Sequence, residues 1–504
     1  MRLAATIALA CASLRAAVAL DPLIGDHMVL QRDQPIVLRG TAEPGESVSV
    51  FLGSEQVAIR ADTTGNWEAR LRPRTASKTP VTIRAKAASG EAKAEDVLVG
   101  DVWICAGQSN MEFAVGREQK ANVMEAAKHW SATPLLRLRN HSFPGQYSSR
   151  AIPAADLARL KPGTFFSGNW ETCTDKSTKA FSAVGWWFGL KLQQATGVPI
   201  GLVNWSIGGA PIETFIRREA FTGAPELEAK LKGVWTENPA IDEWVRTRAK
   251  AHFGKAKEPR DALGIEHFYK PGFAWAAGPG RATWMPVRGW LWYQGESNSL
   301  SESGTREYPM LLKAMVADWR AQWKLPEAPF LWVQLSSIDT AKYKSAQWPL
   351  FRDQQRRLLT EIPNSGMAVC SDLGAKDDVH PRDKRPVGER LARWALNTTY
   401  GQRNVVPSGP LAASASAQGA KVTVRFNFAR GLKASDGTPV REIEVAGADG
   451  AFVTATATTQ GETLVVTSPV AQPKAVRYGW VPWSQGNLVN GEGLPASTFA
   501  LEIK

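Results

Sequence analysis

Between residues 98 and 404, short apolar runs alternate with longer segments of helical periodicity, and this texture constrains the fold more than any other feature. VWICAG, PIGLVNWS, GWLWYQG, FLWVQLSS and MAVCSDLG read as strands. FSAVGWWFGLKLQQAT and PMLLKAMVADWRAQW, with apolar residues three and four apart, read as helices. Strand–helix alternation of this kind predicts an α/β fold, a parallel sheet covered by helices.

The flanks read differently. Residues 20–97 alternate apolar and polar positions, as in SVSVFLG and VTIRAKA, with turn pairs at Pro44-Gly45 and Thr64-Gly65. That pattern predicts a small N-terminal β-sandwich domain. Residues 405–504 carry similar short strands, KVTVRFNF, LVVTSPV and AVRYGWVPW, and predict a second, C-terminal β-rich domain. A charged stretch near 217–280 fits neither texture and reads as a helical or irregular insertion. At roughly 100–200 residues per domain, 504 residues agree with about three domains.

The first residues, MRLAATIALACASLRAAVALDP, have the order of a secretory signal peptide spanning 1–19: Arg2, an apolar stretch, then Ala17-Val18-Ala19 as the cleavage site. Export to the periplasm or the medium is therefore expected, and cleavage lowers the formal charge of +12 by two, through Arg2 and Arg15. No later run approaches the ~18 apolar residues of a membrane span. The Lys and Arg residues are scattered among acids, so the basic balance describes a solvated surface rather than a nucleic-acid partner. Cys105, Cys173 and Cys370 show no C-x-x-C spacing; no zinc or redox motif is expected, and at most one disulfide.

Chemistry-bearing residues gather where the central strands end, the edge at which open α/β sheets bind ligands. VWICAG runs into Gln108-Ser109-Asn110, PIGLVNWS into Ile207-Gly208-Gly209, and GWLWY into Gln294-Gly295-Glu296-Ser297-Asn298. MAVCSDLG leads to Asp377-Asp378-Val379-His380. Ser109 departs from the G-x-S-x-G elbow, because residue 111 is Met, and a Ser after a strand also serves as a helix cap. His380 differs from the other five His residues in having two carboxylates within three residues. A nearby carboxylate fixes an imidazole's tautomer and stabilises its cation, as nucleophilic catalysis requires; one of the two Asp residues is equally suited to capping the helix that follows. The glycine pair is compatible with a tight turn or with a backbone N–H approaching an oxyanion, and Glu296 with a surface carboxylate or a second orienter of His380.

GDVWICAGQSNMEF, GLVNWSIGGAPIE, LWYQGESN and DDVHPRDKRPVGERLA resemble the successive blocks of the sialate O-acetylesterase family, a branch of the SGNH hydrolases. The likeness runs nearly from end to end: LIGDHMVLQRDQPIVLRGTAEPGESVSV is similar to that family's opening β-domain and WETCTDKSTKAFSAVGWWFG to a middle block. It implies an SGNH-type parallel sheet flanked by helices over residues 98–404, and an esterase that removes acetyl groups from O-acetylated sugars.

The resemblance implies that Ser109 attacks the acetyl carbonyl while His380 takes its proton, then protonates the leaving sugar hydroxyl. Asp377, at D-x-x-H spacing, is the first choice to orient His380, with Asp378 and Glu296 as alternatives. The oxyanion hole would combine the backbone N–H of Ser109, one from Gly208 or Gly209, and a side-chain amide. Gln294 stands where the SGNH pattern has Asn and is favoured for that amide, with Asn298 behind it. Twenty Trp against seven Tyr is unusual, and Trp103, Trp170, Trp186, Trp187, Trp205, Trp290 and Trp292 lie in or beside the blocks. Trp205 and Trp292 are expected to approach the sugar, and Arg352 to meet a sialic acid carboxylate. With no H-E-x-x-H, no His pair at helical spacing and no phosphate-binding Gly loop, no metal or cofactor is expected. Similar proteins include acetyl xylan esterases, which makes xylan the alternative substrate; a non-catalytic carbohydrate-binding protein is the rival class.

Overall fold

A computed structural model describes residues 17–146, 151–254, 260–339, 343 and 345–504. The expected signal peptide therefore lies mostly outside the described residues. Of its end, Val18 is buried and Ala19–Leu20 pairs antiparallel with Gly40–Thr41.

The protein is a mixed α/β structure with several sheets. Its organising element is β1 (Gly90–Gly107), an 18-residue strand. The first part of β1 pairs antiparallel with Ser77–Ala87 in the N-terminal β region. The second part is buried throughout and enters the central sheet. Residue 97 lies within this strand, so the N-terminal and central sheets are continuous through it. The central sheet adds β2 (Leu136–Arg139), β3 (Trp170–Thr172), β4 (Ile200–Asn204), β5 (Gly289–Tyr293), β6 (Phe330–Val333) and β7 (Ser365–Ala368), in the order β3-β2-β4-β1-β5-β6-β7. All neighbours are parallel except the edge strand β3. β2, β4, β5 and β6 are buried at every position, as sheets covered on both faces require.

Helices α1 (Ser109–Glu112), α2 (Ala183–Thr196), α3 (Glu243–Phe253), α4 (Glu302–Trp323), α5 (Trp348–Glu361) and α6 (Arg385–Trp394) include the two helices expected from periodicity. The Ser182 hydroxyl caps α2 by accepting from the Gly185 N–H at 3.1 Å, and the helix stops at Gly197 in the left-handed conformation. The expected insertion contains α3 and shorter helical turns. The C-terminal region forms two four-stranded antiparallel sheets. Their facing residues, including Val422, Val424, Leu464, Val445, Val476 and Phe499, form a core of their own in a sandwich-like packing. Cys105, Cys173 and Cys370 are all buried free thiols, so the one disulfide allowed by composition is not formed among them. No helix among the described residues is long and apolar enough to cross a membrane.

Candidate active site

β1 is the switch point of the sheet: its neighbours β4 and β5 leave it in opposite directions, and a crevice opens beyond their carboxyl ends. Ser109 follows β1, the glycine pair follows β4, and Ser297 follows β5. With His380, all of them line one cleft of about 520 Å³.

The Ser109 hydroxyl donates to His380 Nε2 at 2.8 Å, across 271 positions of sequence. On the far side of the ring, the Asp378 carboxylate lies 3.4 Å from Nδ1 and also accepts the His380 backbone N–H at 2.9 Å. The carboxylate 3.4 Å from the imidazole Nδ1 is that of Asp378; Asp377 and Asp378 are both exposed. Burial, reinforced by the Lys384 charge, holds the imidazole below its ordinary range, and Asp378 pulls the other way. A base shifted in this direction is neutral, and so ready to accept a proton, to a greater extent than a free imidazole at the same pH.

Glu296 is fully buried and is not placed beside His380 Nδ1: the turn after β5 aims its Oε1 at the Asn110 amide, which donates to it. Asn110 also donates to the Val379 carbonyl at 2.9 Å and accepts from the buried Lys384 ammonium. A Glu296–Asn110–Lys384 chain therefore ties the nucleophile's helix to the residue preceding His380. Burial raises the Glu296 pKa and lowers that of Lys384 to about 8. Sequence reasoning missed Asn110 and Lys384; their signal was a pair of polar residues each one to four positions from the Ser and His.

Gln294 is fully buried behind the cleft wall rather than on it. Its amide donates to Asn298 Oδ1 at 2.7 Å, Gln108 Oε1 at 3.1 Å and the Ala210 carbonyl at 3.3 Å. Asn298 in turn donates to Glu213 and accepts from the Ile212 N–H. These two amides brace the loops after β4 and β5. Gln108 is the amide on the wall, its Oε1 held by Gln294 and by the N–H groups of Gly295 and Ser297.

Gly209 is required sterically, and Gly208 is close-packed. A Cβ on Gly208 would fall 2.9 Å from Glu112 Oε2 and 3.9 Å from Ser109 Cβ. One on Gly209, whose φ is +70°, would fall 2.3 Å from the Tyr269 hydroxyl. Tyr269 donates to the Gly208 carbonyl at 2.9 Å, which fixes the peptide joining the pair.

Glu112, one helical turn after Ser109, accepts from Gln146 at 2.8 Å, and burial pushes its carboxyl up to about 7 from 4.5. The folded state therefore holds this proton more tightly than the unfolded chain does. The stability it contributes is complete below about pH 4.5 and is lost as pH rises through 7, a swing of about 3 kcal/mol. Thermal unfolding of Glu112→Gln and wild type is expected to show the variant gaining on wild type between about pH 5 and about pH 8. A difference that does not change with pH would contradict this.

The expected sugar and carboxylate contacts are corrected by burial. Trp205 stacks on His141 with ring centroids 5.7 Å apart, and Trp292 donates its indole N–H to the Tyr308 hydroxyl at 3.1 Å; both are core residues. Arg352 is neither a cleft residue nor an exposed one. Its guanidinium is fully buried and donates to Ser337 Oγ and the Gly479 and Val481 carbonyls. The cleft is instead walled by Phe143, Arg117 and, from the insertion, Trp244, Arg248, His252 and Tyr269. Trp244, Arg248 and His252 stand four apart on α3, a spacing legible in the sequence as one helix face.

Residues 269–397 match the family described as carbohydrate esterase, sialic acid-specific acetylesterase. The chain is similar to the sialate O-acetylesterases of Mus musculus (29% identity, 77% of this chain and 74% of the relative) and Homo sapiens (27%, 91% and 87%). It is also similar to a carbohydrate acetylesterase from Xanthomonas citri of known crystal structure, at 31% identity and a TM-score of 0.77, over 96% of this chain and 99% of that one. The likeness to the bacterial enzyme spans nearly the whole of both chains. The chain belongs to this family of carbohydrate esterases and is a carboxylic ester hydrolase that removes acetyl groups from O-acetylated sugars.

Proposed function

We propose that the chain deacetylates O-acetylated sialic acids by an SGNH-type acyl-enzyme mechanism, with Ser109 as nucleophile, His380 as general base and acid, and Asp378 as the carboxylate that orients His380. The observation that carries this reading is the 2.8 Å hydrogen bond from Ser109 to His380 in an open cleft. Ser109 Oγ attacks the acetyl carbonyl carbon as its proton passes to Nε2; the sugar oxygen leaves with that proton, and a water activated by the same nitrogen releases acetate. The Ser109 N–H, first in its helical turn and without an intrahelical acceptor, and a Gly208 or Gly209 N–H would donate to the forming oxyanion, Gly209 being favoured because the Gly208 N–H already bonds the Glu112 carboxyl. Arg117 and Arg248 in the cleft suit a substrate carboxylate, while Glu112, pushed up to about 7 by burial, offers little opposing charge below neutral pH. We infer export as well, since the N-terminal segment has the order of a signal peptide and an exported enzyme meets glycans outside the cell. Val18 and Ala19 pack within the fold, so on this reading the mature chain starts at or before Val18.

Acetate release from O-acetylated sialic acids, acetylated xylo-oligosaccharides and acetylated xylan tests the substrate. Turnover of the sialic acids at least tenfold faster is expected, and preference for xylan would assign the enzyme to hemicellulose. Asp378→Asn is expected to lower kcat about 10- to 100-fold, less than for a buried triad carboxylate because Asp378 is half exposed. Asp378 raises the His380 pKa, so its loss is expected to move the acid limb of kcat/KM to lower pH. Asp377→Asn is expected to do neither; the reverse pattern would hand the role to Asp377.

A further inference from the structure

Of the twenty tryptophans, Trp244 alone among the described residues is exposed, at 38%. It stands on the first turn of α3, where the Asp242 carboxylate caps the helix by accepting the Trp244 N–H at 2.8 Å. Its indole stacks on Tyr269, with centroids 6.0 Å apart and 27° between the planes. The ring edge lies beside the oxyanion loop: Trp244 Cη2 is 3.2 Å from the point that a Cβ on Gly209 would occupy. A Cβ on Gly208 would lie 3.9 Å from Ser109 Cβ, beyond Glu112 Oε2 at 2.9 Å, so the indole and the nucleophile flank one two-glycine loop. The remaining tryptophans pack in cores or are partly covered, and an indole held in water at a reaction cleft is apolar surface kept for a ligand.

We propose that Trp244, braced from behind by Tyr269, is the platform on which the sugar ring of the acetyl ester lies, so that α3 of the insertion selects substrate while Ser109 and His380 perform the chemistry. The inference rests on the sugar-ester reading above. A pyranose has a face of C–H groups and a rim of hydroxyls. The C–H face suits the indole, and the rim then meets the polar wall that Arg248 supplies one turn further along α3. A ring laid on Trp244 brings an acetyl group carried on the ring, or on a side chain of the ring, across the two glycines to Ser109. Trp244 is a specificity-determining residue on this account: it binds the sugar and does not touch the reacting atoms.

The test compares two acetyl esters, one with a sugar ring and one without: 5-N-acetyl-9-O-acetylneuraminic acid and ethyl acetate. Trp244→Ala is expected to lower kcat/KM for the sugar ester about tenfold more than for ethyl acetate, with the extra loss in KM. Trp244→Phe, which keeps a flat ring, is expected to recover most of that difference. Equal losses on the two esters, or a loss confined to kcat, would mean that Trp244 merely supports the Gly209 loop and would overturn the proposal. An undiminished sugar reaction in Trp244→Ala would overturn it as well. If wild type hydrolyses ethyl acetate but no O-acetylated sugar, the sugar reading fails first and the platform with it.

Discussion

Ser109→Ala and His380→Ala are each expected to reduce acetate release on the order of 10⁴-fold or more, leaving a residue of activity from the oxyanion donors. Removing Ser109 deletes the hydroxyl that bonds His380 Nε2, and removing His380 strands the Ser109 hydroxyl with no base at 2.8 Å. The two losses are expected to be non-additive, since each residue is useless to the reaction without the other: the double variant should be little worse than either single one. Stability should barely change. Ser109 is a small side chain facing the cleft and His380 is only partly covered, so neither substitution opens a core cavity. Near-wild-type activity in either variant would dismiss the assignment.

Arg352→Ala is expected to have the largest effect on stability, of the order of 3–5 kcal/mol. Its guanidinium is fully buried between α5 and the C-terminal sheets and donates to three acceptors, two of them backbone carbonyls at Gly479 and Val481. Truncation leaves those acceptors without their donor and opens a cavity the size of the side chain. Burial lowers the Arg352 pKa to about 10, which still leaves it charged at neutral pH, so the three acceptors also serve to compensate a buried cation. Arg352→Met, which fills the volume without donating, should fall between wild type and the Ala variant. Chemical denaturation of the three proteins checks the order. A cost below about 1 kcal/mol for Arg352→Ala would show that the contact between the α/β and C-terminal parts does not depend on this side chain.

The central strands, both long helices, and the convergence of Ser109, the glycine pair and His380 were all legible in the sequence. Runs such as GWLWY are too apolar to be anything but covered strands, and polar residues at their ends have one edge to occupy. Side-chain direction within those runs was not legible. Every residue of β5 is buried, so a period of two carries no inside–outside contrast, and Trp292 could equally have faced the cleft or the helices. It faces Phe215 and Trp319. Gln294 lies behind the cleft wall for a related reason: its place after the strand was legible, but its amide is turned to three buried acceptors. Arg352 sits on a helix whose exposed side also carries an arginine, and only tertiary packing distinguishes the buried Arg352 from Arg357. The wall supplied by α3 was hidden by charge: Trp244, Arg248 and His252 share a helix face, but the surrounding Lys, Arg and Glu residues made the segment read as a helical or irregular insertion.

The central claim is that acetyl transfer passes through Ser109. Mixing enzyme with an O-acetylated sialic acid, quenching with acid within one turnover and mass-analysing the peptides tests it most directly. The account predicts the mass of one acetyl group on the peptide containing Ser109, absent from Ser109→Ala and strongly reduced in His380→Ala. An acetyl group on another residue, or a burst of free sugar with Ser109 unmodified, would contradict it.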